Sequence, residues 1–320
     1  MSSLIEKAAQ RLEQLRQAGA DIPAGAPAPG DVPANAAAVP STAAVPTRAV
    51  PSEAHAPDSI QSKAVQMDLE TLRVAGFVTP NAPRSPIADQ FRVIKRPLLA
   101  NATGKGAAPV PNGNLIMVTS AMPGEGKSFT AINLAMSMAL ELDYRVLLVD
   151  ADVARPSLRK LFNLPAGPGL LDLLVDPSVQ MSDVLLRTNV DKLSVLLSGT
   201  PTARATELLA SDSMTRLIED MGNRYPDRII IFDSPPLLLT TEARVLASHM
   251  GQIVLVVQAE KTLQSQLRHA LTTIEACPVK LLVLNQARGG DQDAFGYGYG
   301  YGYGYGAAPA PASASSPTHG

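Results

Sequence analysis

The sequence predicts a doubly wound α/β fold built on a mostly parallel sheet, and three observations point to it. Six short apolar runs, residues 115–119, 146–149, 193–197, 229–232, 253–257 and 281–284, read as strands. Several are almost wholly apolar rather than alternating, as expected when helices cover both faces of a parallel sheet. Helical patterns separate most of them, which gives the βαβ rhythm of this class. The first run ends in a glycine-rich turn, Ala121-Met-Pro-Gly-Glu-Gly126-Lys127-Ser128, followed by an apolar helical pattern from Ala131 to Leu142.

Taken in order, the chain opens with an amphipathic stretch over residues 1–18. Leu4, Ile5, Ala8, Leu12 and Leu15 share one helical face, and the polar residues elsewhere mix Glu6, Arg11, Glu13 and Arg16. A membrane-surface helix would carry a mainly basic polar face, so a docking helix for another protein is expected, with a helix folded back on its own core as the alternative. Residues 19–62 shift to Ala and Pro with few large apolar side chains; such a stretch cannot offset its ordering entropy and reads as a linker. The globular domain is expected over 63–287. Its lead-in holds Val65, Met67, Leu69, Leu72 and Val74 before Gly76, then a helix from Ile87 to Arg96 that stops before Pro97. Residues 288–320 form a tail rich in Gly and Tyr.

Bulk properties exclude several classes. A net charge of −2 with mixed signs along the chain argues against nucleic-acid partners or a polybasic membrane patch. The single Cys277 cannot form an internal disulfide, suits a reducing cytoplasm and is expected as a buried apolar side chain. No run of 18 apolar residues occurs, the N-terminus lacks a signal-peptide core, and His55, His249, His269 and His319 show no metal-ligand spacing.

The strand–turn–helix segment is the layout that a nucleoside triphosphate needs. Backbone N–H groups of Pro123–Phe129 (Pro123 itself has none) surround the phosphates, and the helix N-terminus adds the positive end of its dipole. Gly124, Glu125 and Gly126 shape the turn, Lys127 reaches the β- and γ-phosphates, and Ser128 can ligate Mg²⁺. Position 121 holds Ala where the strict pattern asks for Gly. Two carboxylate segments follow strands: Asp150-Ala-Asp152 after the second, and Asp233-Ser-Pro-Pro after the fourth. Acidic residues at strand ends beside such a turn supply oxygen to a Mg²⁺ shared with the phosphates.

These three segments together resemble the Walker A, A′ and B set of the bacterial tyrosine kinases, deviant P-loop ATPases that regulate exopolysaccharide polymerisation and export. The resemblance is closest to the stand-alone autokinases of exopolysaccharide loci and covers roughly residues 63–285. It implies that Lys127 binds phosphates, that Asp150 accepts the tyrosine proton, and that Asp150, Asp152 and Asp233 join Ser128 around the metal. The family carries Arg two residues after the second Asp of Walker A′; here Ala154 stands there and Arg155 follows. Asp89-x-x-Arg92-x-x-Lys95 is similar to the family's oligomerisation motif, and Asn285 sits where relatives contact adenine.

Tyr297, Tyr299, Tyr301, Tyr303 and Tyr305 alternate with Gly in the tail and hold five of the chain's seven tyrosines. The resemblance marks them as acceptors of autophosphorylation by ATP and Mg²⁺, in trans within a homo-oligomeric ring. It further implies a membrane chain-length determinant as docking partner, an opposing tyrosine phosphatase, and a cytoplasmic protein held peripherally at the inner membrane. The alternative is a partition- or placement-type ATPase acting as a nucleotide-dependent binding switch. Those relatives carry a signature lysine where Met122 stands, and they lack tyrosine ladders.

Overall fold

In the computed structural model, residues 62–82, 85–224 and 227–287 are described. The expected N-terminal helix, nearly all of the linker, and the tail lie outside them. Seven strands make one sheet: β1 (Leu115–Ser120), β2 (Arg145–Asp150), β3 (Leu186–Arg187), β4 (Leu193–Leu196), β5 (Arg228–Asp233), β6 (Gln252–Gln258) and β7 (Val279–Asn285). They are ordered β3-β4-β2-β5-β1-β6-β7, and every pair is parallel except β3 with β4. All six expected strands are present. The two-residue β3 was not foreseen, because a run that short carries no periodicity.

Successive residues of a strand point to opposite faces, and the two cores follow that rule. Ile116 and Val118 of β1 join Leu98, Leu99, Ile132 and Ala135 on one side. Leu115 and Met117 join Met214, Ile218, Met221 and Leu246 on the other. Every residue of β1 is buried, which explains its unbroken apolar sequence.

Helix α1 (Leu69–Val74) starts on Asp68, whose side chain accepts from the N–H groups of Glu70 and Thr71. Helix α2 runs Pro86–Ala102, capped by Ser85, and so continues through Pro97 rather than stopping before it. The carbonyl that Pro97 deprives of its N–H belongs to Val93, which is 74% exposed and can turn to water. Beyond the proline, Leu98 and Leu99 are buried. Two such side chains stabilise by about 3–6 kcal/mol, enough to outweigh the roughly 3 kcal/mol cost of an internal proline.

Helix α3 (Lys127–Ala139) follows β1 directly across the glycine turn and is buried along most of its length. Short helices α4 (Leu158–Leu161), α5 (Leu170–Val175), α6 (Met181–Val184) and α7 (Ala205–Leu209) precede α8 (Asp212–Arg224), α9 (Glu242–Ser248) and α10 (Gln264–Thr273). Among the described residues, no helix is long and apolar enough to cross a membrane. Cys277 is buried and free as expected, and burial raises its thiol pKa.

Candidate phosphate-binding site

The carboxyl ends of β1, β2 and β5 converge on one place. There the glycine turn, the Asp150–Ser157 segment and the loop after Asp233 surround a cavity of about 510 Å³ lined by Gly124, Gly126, Lys127, Ser128, Asp152 and Arg155, among others. Gly124 and Gly126 have φ of +86° and +97°, a region that side chains with a Cβ resist. A Cβ on Gly126 would also collide with the Asn285 side chain. These two glycines turn the chain into the N-terminus of α3, where unpaired N–H groups favour an anion.

Lys127 is the cation of the site. Its Nζ lies 2.7 Å from Asp152 Oδ2 and 4.0 Å from Asp233 Oδ1, and 3.4 Å from the Ser128 hydroxyl. Burial disfavours its ammonium, yet the surrounding carboxylates of Asp233, Asp152 and Asp150 outweigh this and hold its pKa above the usual lysine value. Asp150 and Asp233 are register partners on β2 and β5, so the fold sets two carboxylates side by side. Both are fully buried. Burial, reinforced by the Asp233 charge, pushes Asp150 up to about 8. Burial raises Asp233 to about 6 against the opposing pull of Lys127.

Hydrogen bonds satisfy only half of this pair. Asp150 Oδ2 accepts from the Leu158 N–H at 3.0 Å, and Asp233 Oδ2 accepts from the Ser157 hydroxyl at 3.4 Å. The Oδ1 atoms of both are buried without a hydrogen-bond partner. A buried, partnerless carboxylate oxygen is costly, and hard oxygen donors beside a serine hydroxyl suit Mg²⁺. Among the described residues, no three acidic, His or Cys side chains form a ready-made metal cage. Asp150, Asp152 and Asp233 with Ser128 thus offer a partial donor set. Mg²⁺ characteristically completes such a set with water and phosphate oxygens.

Several neighbours were not legible as site residues. Ser157 reaches Asp233 from the loop before α4, and Pro236, Leu239 and Thr240 close the cavity wall. Arg155 and Ala154 both line the cavity, so the arginine displaced by one position still faces it. Glu125 is 3% exposed and works inside the turn. Its Oε2 accepts from the Met122 N–H at 2.9 Å, and its Oε1 accepts from the Thr262 hydroxyl.

Asn285 packs against the glycine turn. Its Nδ2 donates to the Glu125 carbonyl at 2.9 Å, while the Gln286 amide donates to the Gly124 carbonyl at 3.0 Å. It lines a separate groove with Phe129, between α2 and β7, and not the cradle. Lys95, in the segment similar to the oligomerisation motif, is 4% exposed, its Nζ 2.8 Å from Glu141 Oε1 and donating to the Ser137 carbonyl at 2.5 Å. The last turn of α3 offers unpaired carbonyls to a cation there, which draws the side chain inward. Asp89 and Arg92 pair with each other on the exposed face of α2.

Residues 113–282, just over half of the chain, match the AAA domain family. The tyrosine-protein kinase YwqD of Bacillus subtilis is 34% identical over 200 residues, which cover 62% of this chain and 80% of that protein. The tyrosine-protein kinase ptk of Acinetobacter johnsonii is 37% identical over 168 residues, 52% of this chain, and there the chain spans only 22% of the relative's length. Among solved structures, the BceF tyrosine kinase domain superposes with a TM-score of 0.53 at 25% identity, covering 69% of this chain and 91% of that domain.

Proposed function

The chain belongs to the AAA domain family and is one of the bacterial tyrosine-protein kinases, and from that premise we propose that it transfers the γ-phosphoryl group of ATP to its own C-terminal tyrosines. The observation that carries this reading is the convergence of Lys127, Ser128 and Asp152 on one cavity, with the strand-end carboxylates of Asp150 and Asp233 buried beside them, in a chain that carries five tyrosines alternating with glycine at 297–305.

In the proposed reaction, N–H groups at the start of α3 and the Lys127 ammonium hold the triphosphate. The phenolic oxygen of Tyr297, Tyr299, Tyr301, Tyr303 or Tyr305 forms a bond to the γ-phosphorus. The bond from that phosphorus to the β–γ bridging oxygen breaks, ADP leaves with its electron pair, and the phenolic proton passes to Asp150 in its ionised form. Ser128, Asp152 and Asp233 would hold Mg²⁺, which when bound neutralises phosphate charge. Positioning and charge stabilisation supply most of the rate in transfers of this kind.

We assign the wider setting by the same reading: trans transfer in a homo-oligomeric ring, docking of residues 1–18 onto a membrane chain-length determinant at the inner membrane, and control of exopolysaccharide polymerisation and export. An opposing tyrosine phosphatase would reset the tail. Each phosphate adds about −1.5 to −2 charges, and their repulsion would loosen the ring.

The test is incubation of the purified full chain with Mg²⁺ and γ-labelled ATP, followed by mapping of phosphate by mass spectrometry. Label on the tail tyrosines is expected. ATP hydrolysis that leaves the tail unlabelled would replace the kinase reading with a nucleotide-dependent switch.

A further inference from the structure

A second cavity, of about 540 Å³, adjoins the cradle across the Arg155–Ser157 turn. The turn is a shared wall: Arg155 and Ser157 line the cradle, while Pro156 lines the neighbour. Pro156, Pro168, Leu197 and Pro201 give the second cavity apolar sides, and Arg159 and Thr200 give it polar ones. No acidic side chain lines it. The Arg159 side chain is exposed and has no partner among the described residues.

The frame of this groove is fixed rather than incidental. Leu170 and Leu171 donate to the carbonyls of Leu197 and Ser198 at 2.8 and 3.0 Å. Asp172 Oδ2 then accepts from the N–H groups of both Gly169 and Thr200, at 2.7 and 2.9 Å, and so stitches the two rim loops together. The loops approach so closely that a Cβ on Gly169 would lie 2.6 Å from Gly199 N.

Apolar walls that accept an aromatic ring, beside a free guanidinium that accepts a dianion, describe the chemistry of a phosphorylated tyrosine. The chain supplies that group itself if the proposed kinase activity holds, on which this inference rests. The tyrosines recur every second residue, so in an extended segment they fall on one face about 6.6 Å apart. A residue held in the groove would keep its neighbours along the ladder close to the cradle. We propose that this groove is a phosphotyrosine-binding subsite for the chain's own tail, residues 295–306, with Arg159 as the phosphate-reading residue. The first phosphate then strengthens the tail's hold on the enzyme, and modification proceeds along the ladder within one encounter.

Two synthetic peptides of residues 293–306, one unmodified and one phosphorylated at Tyr301, would be titrated by fluorescence anisotropy into the dephosphorylated full chain. The phosphorylated peptide is expected to bind at least about tenfold tighter. Arg159→Ala should abolish the difference, Arg159→Lys should restore part of it, and Lys160→Ala, a neighbouring cation that does not line the groove, should leave it intact. Intact-mass spectra at low turnover should show wild-type chains carrying several phosphates each, and Arg159→Ala chains carrying mostly one at a similar initial rate. Equal binding of the two peptides, or a preference that survives Arg159→Ala, overturns the subsite. A wild-type tail that never acquires phosphate fails the kinase reading instead, so the two failures are distinguishable.

Discussion

Two lysines of this domain hold inward-facing ion pairs, Lys95 buried and Lys127 half-buried, and their surroundings differ in one respect. Lys95 meets a single carboxylate, Glu141, at 2.8 Å, which Arg96 also approaches at 3.8 Å, and a helix-end carbonyl completes its hydrogen bonding. No carboxylate is left over there. Lys127 stands among Asp150, Asp152 and Asp233, three carboxylates for one ammonium, and two of their oxygens have no hydrogen-bond partner. A structural ion pair is completed within the chain, whereas the cradle retains an excess of buried acid that a proton or a bound cation must neutralise.

The largest expected effect comes from exchanging the two ammonium groups for methyl-capped chains. Lys127→Met should lower the initial rate of tail phosphorylation at least about 100-fold, the scale of removing one oriented donor from a phosphate transition state. Lys95→Met should leave that rate within about twofold and should instead lower thermal stability. Losing a mostly buried ion pair costs about 2–3 kcal/mol, or a fall in Tm of roughly 4–12 °C for a domain of this size. Equal losses of activity in the two variants would erase the distinction between them.

A smaller effect separates the acids. Because the folded pKa of Asp150 is raised to about 8, the folded protein retains a proton that the unfolded chain releases near pH 4. Stability of the nucleotide- and metal-free protein should therefore fall as pH rises from about 4 to 8, and Asp233, raised to about 6, adds to the same trend. Asp150→Asn removes the unfavourable charge and keeps an oxygen for the Leu158 N–H. At pH 8 its Tm should rise by about 2–4 °C, corresponding to about 1 kcal/mol, while phosphoryl transfer is lost. A Tm that drops on this substitution, measured by scanning calorimetry without Mg²⁺, would show that the carboxylate is a structural partner like Glu141.

The comparison also marks what a sequence can disclose. The central strands were legible because burial on both faces leaves unbroken apolar runs, whereas β7 is apolar although alternate residues are exposed. Lys127 and Ser128 were legible because the glycine turn sets them at the start of a helix, and Asp233 because it closes an apolar strand. The burial of Lys95 was not legible, because its spacing from Arg92 looks like any charged helix face. Its inward turn depends on the end of α3, 42 residues away in the chain. Pro97 misled for a similar reason: the local rule that ends helices at proline ignored Leu98 and Leu99, which bury against a sheet still to come. Ser157 and Thr262 carry no pattern at all. They reach the cradle only because loops from different strands meet at the carboxyl edge of the sheet.

Thr262 offers the finest test, since it touches the cradle through Glu125 alone. Its hydroxyl donates to the Glu125 carboxylate and accepts from the Gln258 N–H at 3.0 Å, so the loop after β6 clasps the glycine turn from behind. Thr262→Val keeps the shape and removes both bonds. The turn then loses the brace that aims its N–H groups, a loss of about 1 kcal/mol, which corresponds to a rise of about fivefold in KM for ATP. The chemistry lies farther off, on Lys127 and the aspartates, so kcat should change by less than about twofold, and Thr262→Ser should restore the wild-type value. An unchanged KM accompanied by a lower Tm would place Thr262 with Lys95, as a residue that holds the fold and leaves the phosphates to others.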